Sequence, residues 1–195
     1  MSQNSLNTVY VAHCMNTDPD QHWYVWLEQQ LKLLNVTVER IFLADASQPD
    51  PEIWQTCLEA QLKKMDEQSI VVAHGLSCIA VARYLTKKLQ QKTVKAGIFI
   101  AGFNESIPNY PALDSFINHC KIDAGILQAN IQRRVVIFSS NNPIVPVPFS
   151  FKFSHLLNAQ LIEVAQAGHF RTEDGYSEFP QLLQVIQALL KVELS

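Results

Sequence analysis

SIVVAHGLSCIAVARYL, residues 69–85, begins as a β-branched apolar run and passes without a break into a segment with helical spacing. Four consecutive apolar residues, 70–73, suit a strand buried on both faces, as the strands of a parallel sheet are. His74-Gly75 stands at the change of pattern, and glycine tolerates backbone angles that a sharp turn imposes on other residues only with strain. The stretch reads as strand, tight turn, helix.

Working outward, residues 8–13 (TVYVAH) repeat the short apolar pattern and residues 14–21 carry loop chemistry around Asp18, Pro19 and Asp20. Residues 22–35 place Trp23, Trp26 or Leu27, Leu31 and Leu34 at helical spacing, with Asp20 available as a cap. A second strand is expected in 36–43. A helix in 52–65 should carry Ile53, Trp54, Cys57, Leu58 and Leu62 on one face. Beyond the turn, the pattern predicts a strand at 93–101, a loop at 102–111, a helix at 112–130 and a strand at 134–139. A helix within 148–158, a strand within 160–165 and a final helix from Pro180 to about Val192 follow. Strict alternation of strands and helices implies an α/β fold: a mostly parallel sheet of about five or six strands, helices on both faces, and 8–13 and 70–74 near its centre. The three layers are expected to make one domain, 1–195.

Composition narrows the partners. The chain has 195 residues, 48% of them hydrophobic and 17% charged, with a formal net charge of -3, which suits a sizeable core and gives no broad basic face. Nucleic acid and membrane are therefore unexpected partners, and a small ligand or another protein is the expected one. No apolar run approaches the roughly 20 residues that span a bilayer and the first residues are polar, so a cytoplasmic location is expected. Cys14, Cys57, Cys78 and Cys120 show no paired spacing, and no spacing among the six histidines suggests a metal site. Buried free thiols, no metal and no cofactor are the expectation.

Ligands of such sheets collect beyond the C-terminal strand ends. His13, His74, Gly75, Phe103, Asn104, Asn141, Asn142, Gly168 and His169 all follow predicted strands and belong to that rim. His13, Cys14, His74, Leu76, Phe103 and Asn141 are the candidate lining of a ligand pocket there.

The run from His13 through His22-Trp23 and Trp26-Leu27, Ile53-Trp54, the AHGLSC turn, Ala101-Gly102-Phe103, SSNNPIVP (139–146) and AGH (167–169), with Gly175, Glu178, Phe179 and Pro180 after it, resembles a known family. It is similar to the small single-domain serine hydrolases that include retinoblastoma-binding protein nine and YdeN-like bacterial proteins. That resemblance implies a minimal α/β-hydrolase fold with a Ser, Asp, His triad in that chain order. Matched by motif, the nucleophile position of the G-x-S-x-G elbow falls on Gly75, the acid position on Asn142 and the base position on His169.

Only the histidine is kept. Gly75 has no side chain with which to attack a carbonyl. An amide at 142 cannot stabilise an imidazolium and leaves open the wrong histidine tautomer. Cys14 stands where the family tends to have the glycine of His-Gly. The expected function is thus a degenerate hydrolase that binds a small ligand or a protein, and the alternative is an active hydrolase of small esters or amides using a displaced nucleophile. Ser77 is the candidate for that alternative, weighed against a first-turn serine that satisfies backbone groups. Cys78 reads as a packed thiol and Trp23, Trp26 and Trp54 as core. Asp45, Asp114 and Asp174 are acids that could stand in for Asn142, although only Asp174 is near His169 in sequence.

Overall fold

The computed structural model describes residues 7–191. Among these residues six strands, β1 (Thr8–Ala12), β2 (Thr37–Ile41), β3 (Ile70–His74), β4 (Val94–Ile100), β5 (Ile131–Ser139) and β6 (Gln160–Val164), form one sheet in the order β2-β1-β3-β4-β5-β6. Every neighbouring pair is parallel. β1 and β3 are internal strands, as their unbroken apolar character requires, because both faces of each are covered.

Among the described residues seven α-helices cover the sheet: α1 (Tyr24–Lys32), α2 (Pro51–Gln61), α3 (Ser77–Lys88), α4 (Asp114–His119), α5 (Ala124–Asn130), α6 (Val147–Leu157) and α7 (Pro180–Lys191). Alternate residues of the strands point to two separate cores. Val9, Val11, Ile70 and Val72 meet Trp23 at the cap of α1, Leu27 and Leu31 within it, and Leu182 and Ile186 of α7. Tyr10, Ala12, Val71 and Ala73 meet Trp54 and Leu58 of α2, Ile79 of α3, Leu127 of α5 and Phe153 of α6. This is the three-layer α/β arrangement that the alternating sequence implied.

Some local expectations give way. The helix expected at 112–130 is three pieces: a single 3-10 turn at Pro111–Leu113, then α4, then α5. Asp123 accepts the Ile126 N–H at 3.1 Å and so starts a new helix where the apolar pattern alone suggested continuity. β5 begins at Ile131 rather than 134, because buried Ile131 pairs with Val94 directly after α5. Asp20 does not cap α1; it pairs with Arg40 on β2, and Trp23 holds the cap position without a side-chain bond. α1 ends at Lys32, which leaves Leu34 exposed rather than on the buried face. α2 starts at Pro51, with the Asp50 carboxylate accepting from Glu52 and Ile53 N–H, and Ile53 faces outward. The expected end of the last helix, Val192, lies outside the described residues. Among those residues no helix is long and apolar enough to cross a membrane.

Candidate functional site

β3 delivers His74 and then reverses at Gly75, whose φ of 61° lies in the left-handed region. The Gly75 N–H donates to Ile100 O at 2.8 Å, and Gly75 O accepts from Cys78 N–H at 3.1 Å, which fixes the strand end and closes the first turn of α3. A Cβ on Gly75 would lie 3.0 Å from His169 Nε2 and 3.3 Å from Cys14 Cβ. Both conformation and space therefore favour glycine at this position.

His169 arrives on the loop after β6. Gly168, with φ of 55°, begins the turn, and a Cβ there would collide with the Asp174 carboxylate. Asp174 Oδ2 accepts from His169 N–H at 2.8 Å and Arg171 N–H at 3.1 Å, so this acid holds the loop backbone and leaves the imidazole to Asn142. His169 Nδ1 lies 3.2 Å from Asn142 Oδ1, and the same oxygen accepts Ile144 and Val145 N–H, each at 3.0 Å. An oxygen that collects backbone donors can only accept from the ring, so Nδ1 carries the hydrogen and the Nε2 lone pair is directed toward Gly75. The feared wrong tautomer is thus not the one this arrangement selects. Burial, followed by the neighbouring His74, Arg171 and His22, holds the His169 pKa well below the usual imidazole range.

A second imidazole lies beneath the first. His74 stacks on His169 with ring centroids 5.2 Å apart, and burial lowers its pKa to about 4. His74 Nε2 is 2.7 Å from His169 O and must donate, so Nδ1 accepts from Tyr24 Oη at 2.7 Å. Tyr24 Oη in turn accepts the Cys14 N–H at 3.1 Å, which commits that amide to the core.

The remaining candidates separate clearly. Leu76, Phe103 and His169 line a cleft of about 300 Å³ with Met15, Asn16, Tyr110, Leu113, Pro143, Ile144 and Arg171. His13, Cys14, His74 and Asn141, expected on its rim, are not among its lining. His13 Nδ1 donates to Cys14 O at 2.9 Å and Nε2 accepts from Leu43 N–H at 3.0 Å, which spends both nitrogens on the backbone. Asn141 Oδ1 accepts from Gly168 N–H at 2.8 Å and supports the His169 loop from outside. Fully buried Ser77 bonds Ala12 O, His74 O and His74 N–H, at 3.2, 3.0 and 3.0 Å. Cys78 is equally buried, and desolvation pushes its thiol pKa well up. A separate depression around Met65, Glu67, Lys92 and Asn130 lies at the N-terminal ends of the strands, away from all of these groups.

Sequence reasoning missed Tyr24, Tyr110 and Arg171, which carry no spacing signal of their own. It also missed a convergence: Cys14, His74 and His169, far apart in the chain, bring one sulfur and two ring nitrogens within 4.8 Å of one another. No metal fits this trio well, since His74 already commits both nitrogens to Tyr24 and His169 O. The rim rule places all three residues at strand ends, and it is the pairing of β1 with β3 and the return of the loop after β6 that bring their atoms together.

A parallel six-stranded sheet in this order, with a tight strand-to-helix turn on an inner strand and a histidine loop after the last strand, defines an α/β hydrolase fold. The chain belongs to the serine hydrolase family, whose sequence profile, described as "Serine hydrolase", matches residues 9–188. It is 29% identical over 185 residues to "Putative hydrolase YdeN" of Bacillus subtilis (strain 168), covering 95% of this chain and 97% of that one. The crystal structure of the ydeN gene product from B. subtilis superposes with a TM-score of 0.91 at 28% identity, covering 95% and 99% of the two chains. A YdeN-like hydrolase from Pectobacterium atrosepticum shares the fold with a TM-score of 0.73 at 16% identity, covering 95% and 91%.

Proposed function

We propose that this chain has given up the serine-dependent reaction of its family and uses the cleft beside His169 to hold a small, largely apolar ligand. The observation that carries this reading is Gly75 at the elbow, left-handed and without a hydroxyl, facing the Nε2 lone pair of His169. Leu76, Phe103, Leu113, Pro143 and Ile144 supply an apolar wall, while Asn16, His169 and Arg171 offer polar ends for orientation. Ser77 gives no support to the alternative of a displaced serine nucleophile, because its hydroxyl is engaged with three backbone atoms inside the core.

The test combines a fluorophosphonate probe with ligand titration. No serine should be labelled, and hexanoate or its methyl ester should raise the melting temperature of the wild-type protein but not of Leu113→Arg. Stoichiometric labelling of Ser77 would overturn the loss of serine chemistry. An equal thermal response in both proteins would overturn the assignment of the cleft.

A further inference from the structure

Two of the three positions at which this chain leaves the serine pattern face each other. Residue 14, at the end of β1, bears a thiol; residue 75, at the end of the neighbouring β3, bears nothing. A Cβ at 75 would lie 3.3 Å from Cys14 Cβ and 3.0 Å from His169 Nε2, so a side chain there would crowd both residues. Without it, Cys14 Sγ lies within 4.8 Å of a His169 ring nitrogen. Asn142 holds Nδ1, which leaves Nε2 as the nitrogen turned toward this space. We propose that Cys14 is a nucleophile moved from one strand end to the next, with His169 as its base and Asn142 as a positioning residue.

The third departure fits the first two. A serine hydroxyl needs a base whose cationic form is stabilised by a carboxylate, whereas a thiol is far more acidic and gives up its proton to a neutral imidazole more readily. An amide that fixes the Nδ1–H tautomer is then sufficient, and Cys, His and Asn form a set that occurs in thiol hydrolases of an unrelated fold. The Thr17 hydroxyl donates to Cys14 O at 2.8 Å and lies 3.6 Å from the sulfur, so it can accept the thiol hydrogen at rest.

Cys14 lies just behind the cleft wall, next in the chain to Met15 and Asn16, which line it together with His169. The substrate class is a small activated ester or thioester with an apolar acyl group, which rests on the reading of the cleft given above. As the sulfur attacks the carbonyl carbon, its proton passes to His169 Nε2 and the carbonyl π pair moves to oxygen. Collapse of that oxyanion expels the alcohol or thiol, which takes the proton from His169 and leaves an S-acyl Cys14. Water then attacks the thioester, giving its proton to the same nitrogen, and the acid and free thiol are released.

The experiment follows p-nitrophenolate release from p-nitrophenyl hexanoate, with intact-mass and peptide mass spectrometry after acid quench. One equivalent should be released in a burst, with the acyl group on Cys14, and Cys14→Ala should abolish the burst. His169→Gln should slow acylation by on the order of 10²-fold, as loss of a general base does. Asn142→Ala should lower the acylation rate constant while leaving the half-saturating ester concentration unchanged, a split that general loosening of the fold would not give. An acyl group on Cys57, Cys120 or a lysine, a burst that survives in Cys14→Ala, or a thiol that reacts only after a chelator is added would overturn the proposal. The cleft reading fails separately. Acylation of Cys14 that is as fast with the acetyl as with the hexanoyl ester would leave the nucleophile standing and remove the pocket. Saturable hexanoate binding without acylation would do the reverse.

Discussion

His74 and His169 stack 5.2 Å apart, both buried and both held neutral by desolvation, yet they differ in how their nitrogens are used. His74 spends one nitrogen on Tyr24 and the other on the carbonyl of His169. His169 spends only Nδ1, on Asn142, and keeps Nε2 for the cleft side. Burial and a lowered pKa are therefore no guide to which imidazole is free to act; the count of committed nitrogens is. One ring is a strut between β3, α1 and the loop after β6, and the other rests on that strut with one nitrogen left uncommitted.

The largest test of that contrast is His74→Ala. It removes two buried hydrogen bonds, leaves Tyr24 Oη and His169 O short of partners and opens a cavity, so about 3–5 kcal/mol of stability should be lost in chemical denaturation. A loss below about 1 kcal/mol would break the distinction. Acid tests the same strut without mutation. A histidine near 6.5 in the unfolded chain and near 4 in the folded one binds fewer protons when folded, so its contribution is complete above about pH 7 and is lost as the pH falls from about 6.5 to about 4. His74 alone should account for roughly 3 kcal/mol over that window, with His169 and His13 adding in the same direction. Denaturation midpoints measured from pH 8 to pH 4 check the sign, and His74→Ala should flatten the slope.

Gly75→Ser comes next, at about 2–3 kcal/mol, from the left-handed backbone and from crowding against His169 and Cys14. Adding Cys14→Gly should recover part of that loss, because it removes one of the two neighbours. With Asn142→Asp as well, the triple variant should gain fluorophosphonate reactivity at residue 75, whereas Gly75→Ser with Asn142→Asp should gain less because Cys14 still crowds the new side chain. The smallest effect is expected from His169→Ala, about 1–2 kcal/mol, since it forfeits one side-chain bond and some packing. A cost equal to that of His74→Ala would mean that both rings are struts.

Residues 69–85 made the sheet, the turn and the position of Gly75 legible, because periodicity and turn chemistry are local properties of the chain. The internal placement of β1 and β3 could be read for the same reason. What escaped was decided elsewhere. Asp123 as a helix start competes with an apolar pattern that continues through it, and Asp20 was claimed by Arg40 rather than by the helix nearby. The site was half visible: His169, Asn142 and Gly75 could be matched by motif. The work of Tyr24 and the meeting of Cys14 with His169 depend on strand pairing between distant segments, which no spacing along one chain encodes.

The sealed His74 ring also makes the site observable from within. Its Nε2 hydrogen is enclosed, donated to the very residue whose side chain faces the cleft, and can reach solvent only when the structure opens locally. Such a proton should appear as a slowly exchanging downfield resonance, set apart from the rest of the spectrum. Because its acceptor is the carbonyl of His169, any ligand that shifts that loop will shift the resonance, which gives a native isotope reporter of occupancy without a label in the cleft.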